Sequence, residues 1–174
     1  MTRETYRRIT EQTRRLVSQL PGGAAILRLP TLIMACVYAG ASVSVLMTRQ
    51  LRSWPFFLVP AICFLTVTGL RILINRQRPY DRFHLPPVGR HVPDKGKSMP
   101  SRHAASAVAI LMAVLSLHPP LPLALLLILL TALICFLRVA AGQHYPSDVL
   151  AGAALSVLLS LLLFPLCNSL SFPT

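Results

Sequence analysis

Five long apolar segments, separated by short polar stretches, make up most of the chain. They cover roughly 24–48, 54–74, 101–117, 121–141 and 147–166. A helix of about 20 apolar residues is long enough to cross a hydrocarbon core of about 30 Å. The pattern therefore predicts an all-α fold, a polytopic membrane bundle of about five transmembrane helices.

A different periodicity occupies residues 2–20, where apolar residues recur every three or four positions. One side holds Tyr6, Ile9, Thr13, Leu16, Val17 and Leu20, and the other holds Arg3, Arg7, Arg8, Arg14 and Arg15. This pattern predicts an amphipathic helix in the plane of the lipid head groups; the alternative is a disordered basic tail. We accordingly expect an interfacial helix over 1–23 and a transmembrane domain over 24–174.

The composition supports a membrane location. Of 174 residues, 54% are hydrophobic and only 13% are charged, whereas a soluble domain carries about 25% charged residues. The net charge is +12, and most basic residues lie within 1–28 and 71–102. Such clusters are typical of proteins that bind anionic lipids, phosphate-bearing ligands or nucleic acid, but nucleic-acid binding does not account for five spans. The four cysteines lie apart in apolar segments, without metal-ligand spacing.

The unusual polar residues collect at one end of the predicted helices. Alternation of the spans places the loops 75–100 and 142–146 and the N-terminal helix on one membrane face. The turns at 49–53 and 118–120 and the C-terminus then lie on the other. The residues that meet at the first face are Arg71, Arg78, Ser101, Arg102, His103, Arg138, His144 and Asp148. This set indicates a site for a phosphate ester, because the planar fork of arginine matches two phosphate oxygens.

Local chemistry suggests different tasks for these side chains. Ser101 is a natural N-cap, and the first amides of the helix that it opens would attract an anion. His144 precedes Tyr145-Pro146, so we expect it on the loop, where Asp148 could accept a bond from one ring nitrogen. The other nitrogen would then be unprotonated and nucleophilic. The alternatives are a structural histidine at a helix start and arginines that snorkel to the interface.

Three blocks of the sequence resemble the type 2 phosphatidic acid phosphatase (PAP2) family, whose site design is shared with vanadium haloperoxidases. The blocks are Arg71-(six)-Arg78-Pro79, Pro100-Ser101-Arg102-His103 and Arg138-(five)-His144-(three)-Asp148. All three occur in order within a motif-bearing core of about residues 55–166. The resemblance implies a helical membrane phosphatase that acts on a phosphorylated lipid without a metal or other cofactor.

The resemblance also implies a role for each residue. His144 would attack phosphorus to form a phosphohistidine, Asp148 would orient it, and His103 would protonate the leaving oxygen. The phosphoryl oxygens would be held by Arg71, Arg78, Ser101, the amide of Arg102, and Arg138. Candidate substrates are phosphatidate, phosphatidylglycerophosphate, a polyprenyl phosphate or pyrophosphate, and a phosphorylated glycolipid, whose tail would enter between helices. The oligomeric state is left open.

The sequence departs from the family pattern at several points. Arg71 replaces the usual Lys, Arg102 stands where Gly is common, and Leu137 stands where Ser is common. The family core commonly has six spans, whereas this chain has five and an amphipathic helix in place of the first. Because Arg102 places a bulky cation at the mouth of the site, a non-catalytic phospholipid-binding membrane protein is an alternative. A haloperoxidase-like enzyme is a less favoured one.

Two signals disagree about the side of the cell membrane on which the site lies. The resemblance implies a site that faces away from the cytoplasm. The positive-inside rule favours the cytoplasm, because the site face carries nearly all Lys and Arg residues. We expect the outward placement.

Overall fold

The computed structural model describes residues 1–48, 54–89 and 96–170, so the predicted turn at 49–53 lies outside the described residues. Seven α-helices occupy these ranges, which contain no strand. The helices are α1 (Arg3–Ser18), α2 (Leu29–Met47), α3 (Pro55–Ile74), α4 (Pro79–Phe83), α5 (Arg102–Leu115), α6 (Leu121–Ala140) and α7 (Pro146–Leu170). A 3-10 helix, Gly23–Arg28, leads into α2. The predicted all-α bundle is confirmed.

Among the described residues, four helical segments are long and apolar enough to cross a membrane. They are Gly23–Met47, Pro55–Phe83, Leu121–Ala140 and Pro146–Leu170. Their outer surfaces carry exposed leucines such as Leu125, Leu129, Leu161 and Leu162, which suit contact with lipid tails. The third predicted span is shorter than expected. Its helix α5 has 14 residues and is therefore about 21 Å long.

The short helix α5 lies at the centre of the bundle, in contact with α2, α3, α6 and α7. Because other helices surround it, its ends do not have to match the thickness of the hydrocarbon core. Five of its seven buried residues are alanines, and the other two are Val108 and Val114. Small residues allow helix backbones to approach closely, which is the main source of helix association in lipid.

The start of α5 is fixed against α7. A Cβ on Gly152 of α7 would lie 2.6 Å from the carbonyl oxygen of Ser101, so only glycine permits this approach. The Ser101 amide donates to the Asp148 carbonyl at 2.9 Å. The second and third sequence blocks therefore meet through their backbones.

Prolines begin several of the helices. Pro30 lies in the first turn of α2, where its missing N–H leaves no hydrogen bond unmade. Pro79 similarly starts α4, a short helix within the stretch 75–100 that was predicted to be a loop. Pro60, by contrast, lies inside α3.

Helix α1 packs against the loops at the site face. Its buried residues are Tyr6, Thr10 and Val17, whereas Leu16, predicted on the apolar side, is 65% exposed. The Tyr6 hydroxyl donates to the carbonyls of Leu85 at 3.2 Å and Gly142 at 3.3 Å. The predicted helix is present. Its contacts with the neighbouring loops, rather than the apolar pattern of the sequence, determine which face is buried.

Gly142 makes this contact possible and follows directly after α6 and its C-cap, Ala141. Its φ is +71°, a left-handed conformation that glycine adopts without strain. A Cβ there would lie 2.6 Å from both the Tyr6 hydroxyl and Thr10 Cγ2. The loop that follows α6 therefore depends on the absence of a side chain at this position.

We predict that Gly142→Ala lowers the free energy of unfolding by at least about 2 kcal/mol, through left-handed strain and overlap with Tyr6. Thermal unfolding in detergent micelles measures the change. Gly40→Ala is the matched control, because nothing lies within 4 Å of a Cβ there, and it should leave the midpoint unchanged or slightly raised. Equal midpoints for the two variants would contradict the proposed packing of α1.

Candidate active site

Main-chain hydrogen bonds join the segments that carry the three sequence blocks. The Ser98 amide donates to the Arg76 carbonyl at 2.8 Å, which ties the loop before α5 to the end of α3. The His144 amide donates to the Arg138 carbonyl at 3.2 Å, so the loop folds back over the end of α6. Together with the Ser101–Asp148 bond, these bonds hold the polar ends of α3, α5, α6 and α7 next to one another.

The Asp148 carboxylate lies fully buried in the first turn of α7. It accepts three hydrogen bonds from the described residues. Its Oδ1 accepts from Arg76 Nη1 at 2.7 Å. Its Oδ2 accepts from Ser98 Oγ at 2.5 Å and from the Tyr145 amide at 3.0 Å. The last of these bonds satisfies a free amide at the helix start, as one half of a capping box does.

His144 lies on the loop, as predicted, and is 2% exposed. Its Nδ1 is 3.7 Å from Asp148 Oδ2 and 3.5 Å from Ser98 Oγ. The predicted direct His144–Asp148 hydrogen bond is therefore not made, because Ser98 and the Tyr145 amide already occupy that oxygen. The three side chains instead form a cluster around Nδ1.

Burial lowers the pKa of His144 below its ordinary value, and the nearby Arg78 and Arg71 act in the same direction, while Asp148 opposes them. The imidazole is consequently neutral at physiological pH, with one ring nitrogen that carries a lone pair. A neutral, buried imidazole held on one side by a carboxylate is the arrangement expected of a nucleophilic histidine.

A cavity of about 510 Å³ has Gln143, the chain neighbour of His144, in its wall, whereas His144 itself does not line it. The cationic and imidazole side chains that line it are Arg28, Arg78, Arg102, Arg138 and His103. Arg138 is held by neutral partners, since it donates to Gln143 Oε1 at 2.8 Å and to Thr31 Oγ1 at 3.0 Å. Among the residues that the structure describes, no carboxylate lines the cavity, and its guanidiniums suit a phosphate group.

The structure places the remaining predicted residues beside this cavity rather than in its wall. Arg71 is buried at the end of α3 and donates to the Pro100 carbonyl at 3.1 Å. Ser101 occupies the predicted N-cap position, but its hydroxyl makes no capping bond. Its buried Oγ has no hydrogen-bond partner in the described part of the chain. The backbone contacts of Ser101 with α7 fix it in an orientation that does not cap α5.

A second, apolar cleft of about 350 Å³ meets the cavity between α2, α3, α5 and α6. Its walls include Met34, Phe64, Ile110 and Ile134. Arg102 and His103 line both spaces. The cationic cavity therefore continues directly into an apolar space between membrane helices.

Sequence reasoning missed Arg76 and Ser98. Arg76 pairs with Asp148, donates to Ser147 Oγ at 2.8 Å and lies 4.2 Å from the centre of the Tyr145 ring. Arg76 lies between Arg71 and Arg78 in a basic stretch, so the sequence offered no reason to assign it a role of its own. Ser98 belongs to a proline-rich stretch without periodicity, so no pattern distinguished it. One signal was available. The sequence interpretation gave Asp148 only His144 as a partner, whereas a buried carboxylate needs further hydrogen-bond donors.

The described residues contain no group of three or more His, Cys, Asp or Glu side chains that could hold a metal ion. The helical bundle and the cationic cavity are features of a membrane protein whose site suits a phosphate-bearing ligand. A profile of the PAP2 superfamily matches residues 52–170. This chain belongs to the PAP2 superfamily, and the resemblance stated from its three blocks is confirmed.

Two solved structures share the fold. The crystal structure of Aquifex aeolicus LpxE aligns with a TM-score of 0.69 and 23% identity over 93% of each chain. The crystal structure of the first transmembrane PAP2 type phosphatidylglycerolphosphate phosphatase from Bacillus subtilis aligns with a TM-score of 0.68 and 20% identity, over 97% of this chain and 87% of that one. At these identities the likeness concerns the fold. No curated protein sequence matches the chain.

We predict that Arg76→Gln lowers the free energy of unfolding by about 2 kcal/mol, because it leaves the buried Asp148 charge short of a partner. The expected loss is smaller than the 3–5 kcal/mol of a fully buried pair, since the Arg76 side chain is 33% exposed. Arg8→Gln, which breaks an exposed pair with Glu4 at 3.5 Å, should cost less than about 0.5 kcal/mol. Chemical denaturation in detergent compares them, and equally small losses would show that Asp148 does not depend on Arg76.

Proposed function

We propose that the chain is an integral-membrane lipid phosphatase that hydrolyses a phosphate monoester or pyrophosphate through a phosphohistidine intermediate. The observation that carries the proposal is that His144 is buried against Ser98 and Asp148, while its neighbour Gln143 lines a cavity that holds four guanidiniums. Phosphoryl transfer requires positioning and charge neutralisation above all, and these two features supply them. Candidate substrates are phosphatidate, phosphatidylglycerophosphate, a polyprenyl phosphate or pyrophosphate, and a phosphorylated glycolipid.

In this mechanism His144 attacks phosphorus, and Asp148 orients the imidazole and stabilises the positive charge that develops on it. His103, which faces the cavity from the first turn of α5, protonates the leaving oxygen. It lines the same cavity as Arg78, Arg102 and Arg138, which is consistent with a shared reaction site. Water then hydrolyses the phosphohistidine and releases inorganic phosphate.

The phosphoryl oxygens are held by Arg71, Arg78, Ser101, the Arg102 amide and Arg138. Arg78, Arg102 and Arg138 line the cavity. The buried Ser101 hydroxyl has no protein partner among the described residues, and such a group is satisfied when a ligand supplies an acceptor. Guanidiniums provide the positive charge that a metal ion provides in other phosphatases, so we propose that the reaction needs no metal.

The apolar cleft supports a lipid substrate. It begins at Arg102 and His103 and is otherwise lined largely by apolar side chains. A tail in the cleft would bring its head group to the mouth of the cavity. We further propose that residues 24–174 form the phosphatase domain and that residues 1–23 form an interfacial helix.

We predict that the purified protein releases inorganic phosphate from one or more of these lipids in the presence of EDTA. His144→Asn should reduce the rate at least roughly 10³-fold, because no phosphohistidine can form. A radiolabelled terminal phosphate should leave an acid-labile, alkali-stable label on the wild-type chain. The matched control is His118→Asn, in the turn between α5 and α6, where asparagine tolerates the positive φ of 52°.

Full activity in His144→Asn would overturn the mechanism, and loss of activity in EDTA would overturn its metal independence. Lipid binding without phosphate release by the wild-type protein would support the non-catalytic alternative.

We propose that the site lies on the extracytoplasmic face of the cell membrane, in line with the family resemblance. Several arginines on this face are held by site contacts, which reduces their weight as topology signals. Thr2→Cys should react with a membrane-impermeant maleimide in intact cells, whereas His118→Cys, at the opposite end of the bundle, should not. The four native cysteines lie in apolar helices. The reverse labelling pattern would place the site in the cytoplasm.

A further inference from the structure

Tyr6 of α1 is in contact with the chain on both sides of His144, although the two residues lie far apart in the sequence. Its hydroxyl donates to the carbonyl of Gly142, shortly before His144, at 3.3 Å. Its ring centre lies 5.4 Å from that of Phe83, and the Phe83 ring centre lies 6.4 Å from that of Tyr145, the residue after His144. Tyr6 is 1% exposed. One buried side chain therefore holds the chain before His144 directly and the chain after it through Phe83.

The contact through Phe83 leads to the Asp148 carboxylate. The Tyr145 amide donates to Asp148 Oδ2 at 3.0 Å. The guanidinium of Arg76, which pairs with Asp148 Oδ1, lies 4.2 Å from the centre of the Tyr145 ring. The Tyr145 ring thus packs against Arg76 and Phe83, while its amide holds Asp148. A shift of Phe83 would therefore reach two of the donors to the carboxylate that is proposed to orient His144.

Helix α1 also supports the wall of the cationic cavity. Val17 packs against Val88 and Ala141 in an apolar cluster, and the Val88 amide donates to the Ala141 carbonyl at 2.9 Å. Val88 and Ala141 both line the cavity. Arg14 of α1 adds a hydrogen bond to the Pro86 carbonyl at 3.1 Å. The same helix is therefore in contact with the loop of the proposed nucleophile and with the residues that form the cavity wall.

The bonds between this loop and the end of α6 leave its orientation to further contacts. The amides of Gln143 and His144 both donate to the Arg138 carbonyl, at 3.1 and 3.2 Å. Two bonds to one oxygen hold the loop at a single point, about which it can still turn. The bond from Tyr6 to Gly142 holds it at a second point and comes from a different helix. In-line attack on phosphorus depends on the orientation of the imidazole, so it depends on this second point as well.

We propose that Tyr6 is a positioning residue for phosphoryl transfer. It does not touch the substrate, but it holds Gly142 and Tyr145 so that the His144 ring nitrogen stays in line with the reacting phosphorus. The inference rests on the proposed phosphatase function and adds a residue outside the three sequence blocks. A nucleophile displaced by about 1 Å can lose about 10²-fold in rate, and packed supporting contacts keep a catalytic group within about 0.5 Å of its working position.

Single-turnover kinetics of the purified chain in detergent micelles test this role. The probes are dioctanoyl phosphatidate, dioctanoyl phosphatidylglycerophosphate and farnesyl diphosphate, each with a radiolabelled terminal phosphate. The lipid that the wild type consumes fastest is then used for the variants. With the protein in excess and at saturating concentration, the first-order rate constant for consumption of the lipid belongs to the folded molecules. A smaller folded fraction therefore does not imitate a slower attack on phosphorus.

We expect Tyr6→Leu, which removes both the hydroxyl and the ring, to lower this rate constant at least roughly tenfold. Tyr6→Phe keeps the ring against Phe83 and loses the bonds to Leu85 and Gly142, so its loss should be smaller. Phe83→Leu should reproduce part of the loss. In the Tyr6→Leu background it should slow the reaction less than it does alone, because both changes act through the same contact.

Tyr38 provides the matched control, because its contacts are of the same kind. Its hydroxyl donates to the Phe56 carbonyl at 3.2 Å, and its ring stacks on that of Phe56 with 5.1 Å between the centres. It packs against the apolar core of the bundle, half-way along α2. Tyr38→Leu and Tyr38→Phe should therefore lower the thermal midpoint as the Tyr6 variants do, but leave the single-turnover rate constant at its wild-type value.

A wild-type rate constant in both Tyr6 variants, or an equal loss in the matching Tyr38 variants, would overturn the positioning role and leave the phosphatase function standing. If Tyr6→Leu does not fold, the comparison of Tyr6→Phe with Tyr38→Phe decides in the same way. Failure of the wild type to consume any of the three lipids would contradict the proposed function, and the positioning role with it.

Discussion

The buried charge of Asp148 is the constraint on which the arrangement of the site depends. A carboxylate removed from water is stable only when donors surround it. Here the donors come from three separate parts of the chain: Arg76 after α3, Ser98 before α5, and the Tyr145 amide at the start of α7. Satisfying one charge therefore joins three helix ends and sets the position of His144. The residue proposed to orient the nucleophile is also the residue that assembles the site.

The site and the surrounding bundle follow different physical rules. In a bilayer, moving an apolar side chain from lipid into the protein gains little free energy. Packing of small residues, such as the alanines of α5, therefore holds the helices together. At the site face, several guanidiniums line one cavity. Such preorganised donors favour a phosphoryl group that gains negative charge during reaction. The protein thus combines a closely packed centre with a cationic cavity that suits an anion.

Much of this arrangement could be predicted from the sequence because its signals are local or periodic. Apolar lengths gave the helices, and fixed spacings placed Arg78, Arg102, His103 and Arg138 around one cavity. The central position of α5 was not predictable, because the sequence does not show which helices pack around one another. The Arg76 and Ser98 contacts were missed for a related reason. Partners of a buried charge are chosen by tertiary distance, which residue type alone does not report.

The contrast between α5 and the outer helices also bears on how the sequence can change over evolution. Lipid-facing positions such as Leu125, Leu129 and Leu161 require only an apolar side chain of ordinary size, so many substitutions there are neutral. Ala104 and Ala109 are fully buried, and a Cβ on Gly152 would overlap the Ser101 backbone. Related chains can therefore diverge over most of their surface while this narrow set of small residues stays nearly fixed. Identity of about one residue in five is then compatible with an unchanged fold.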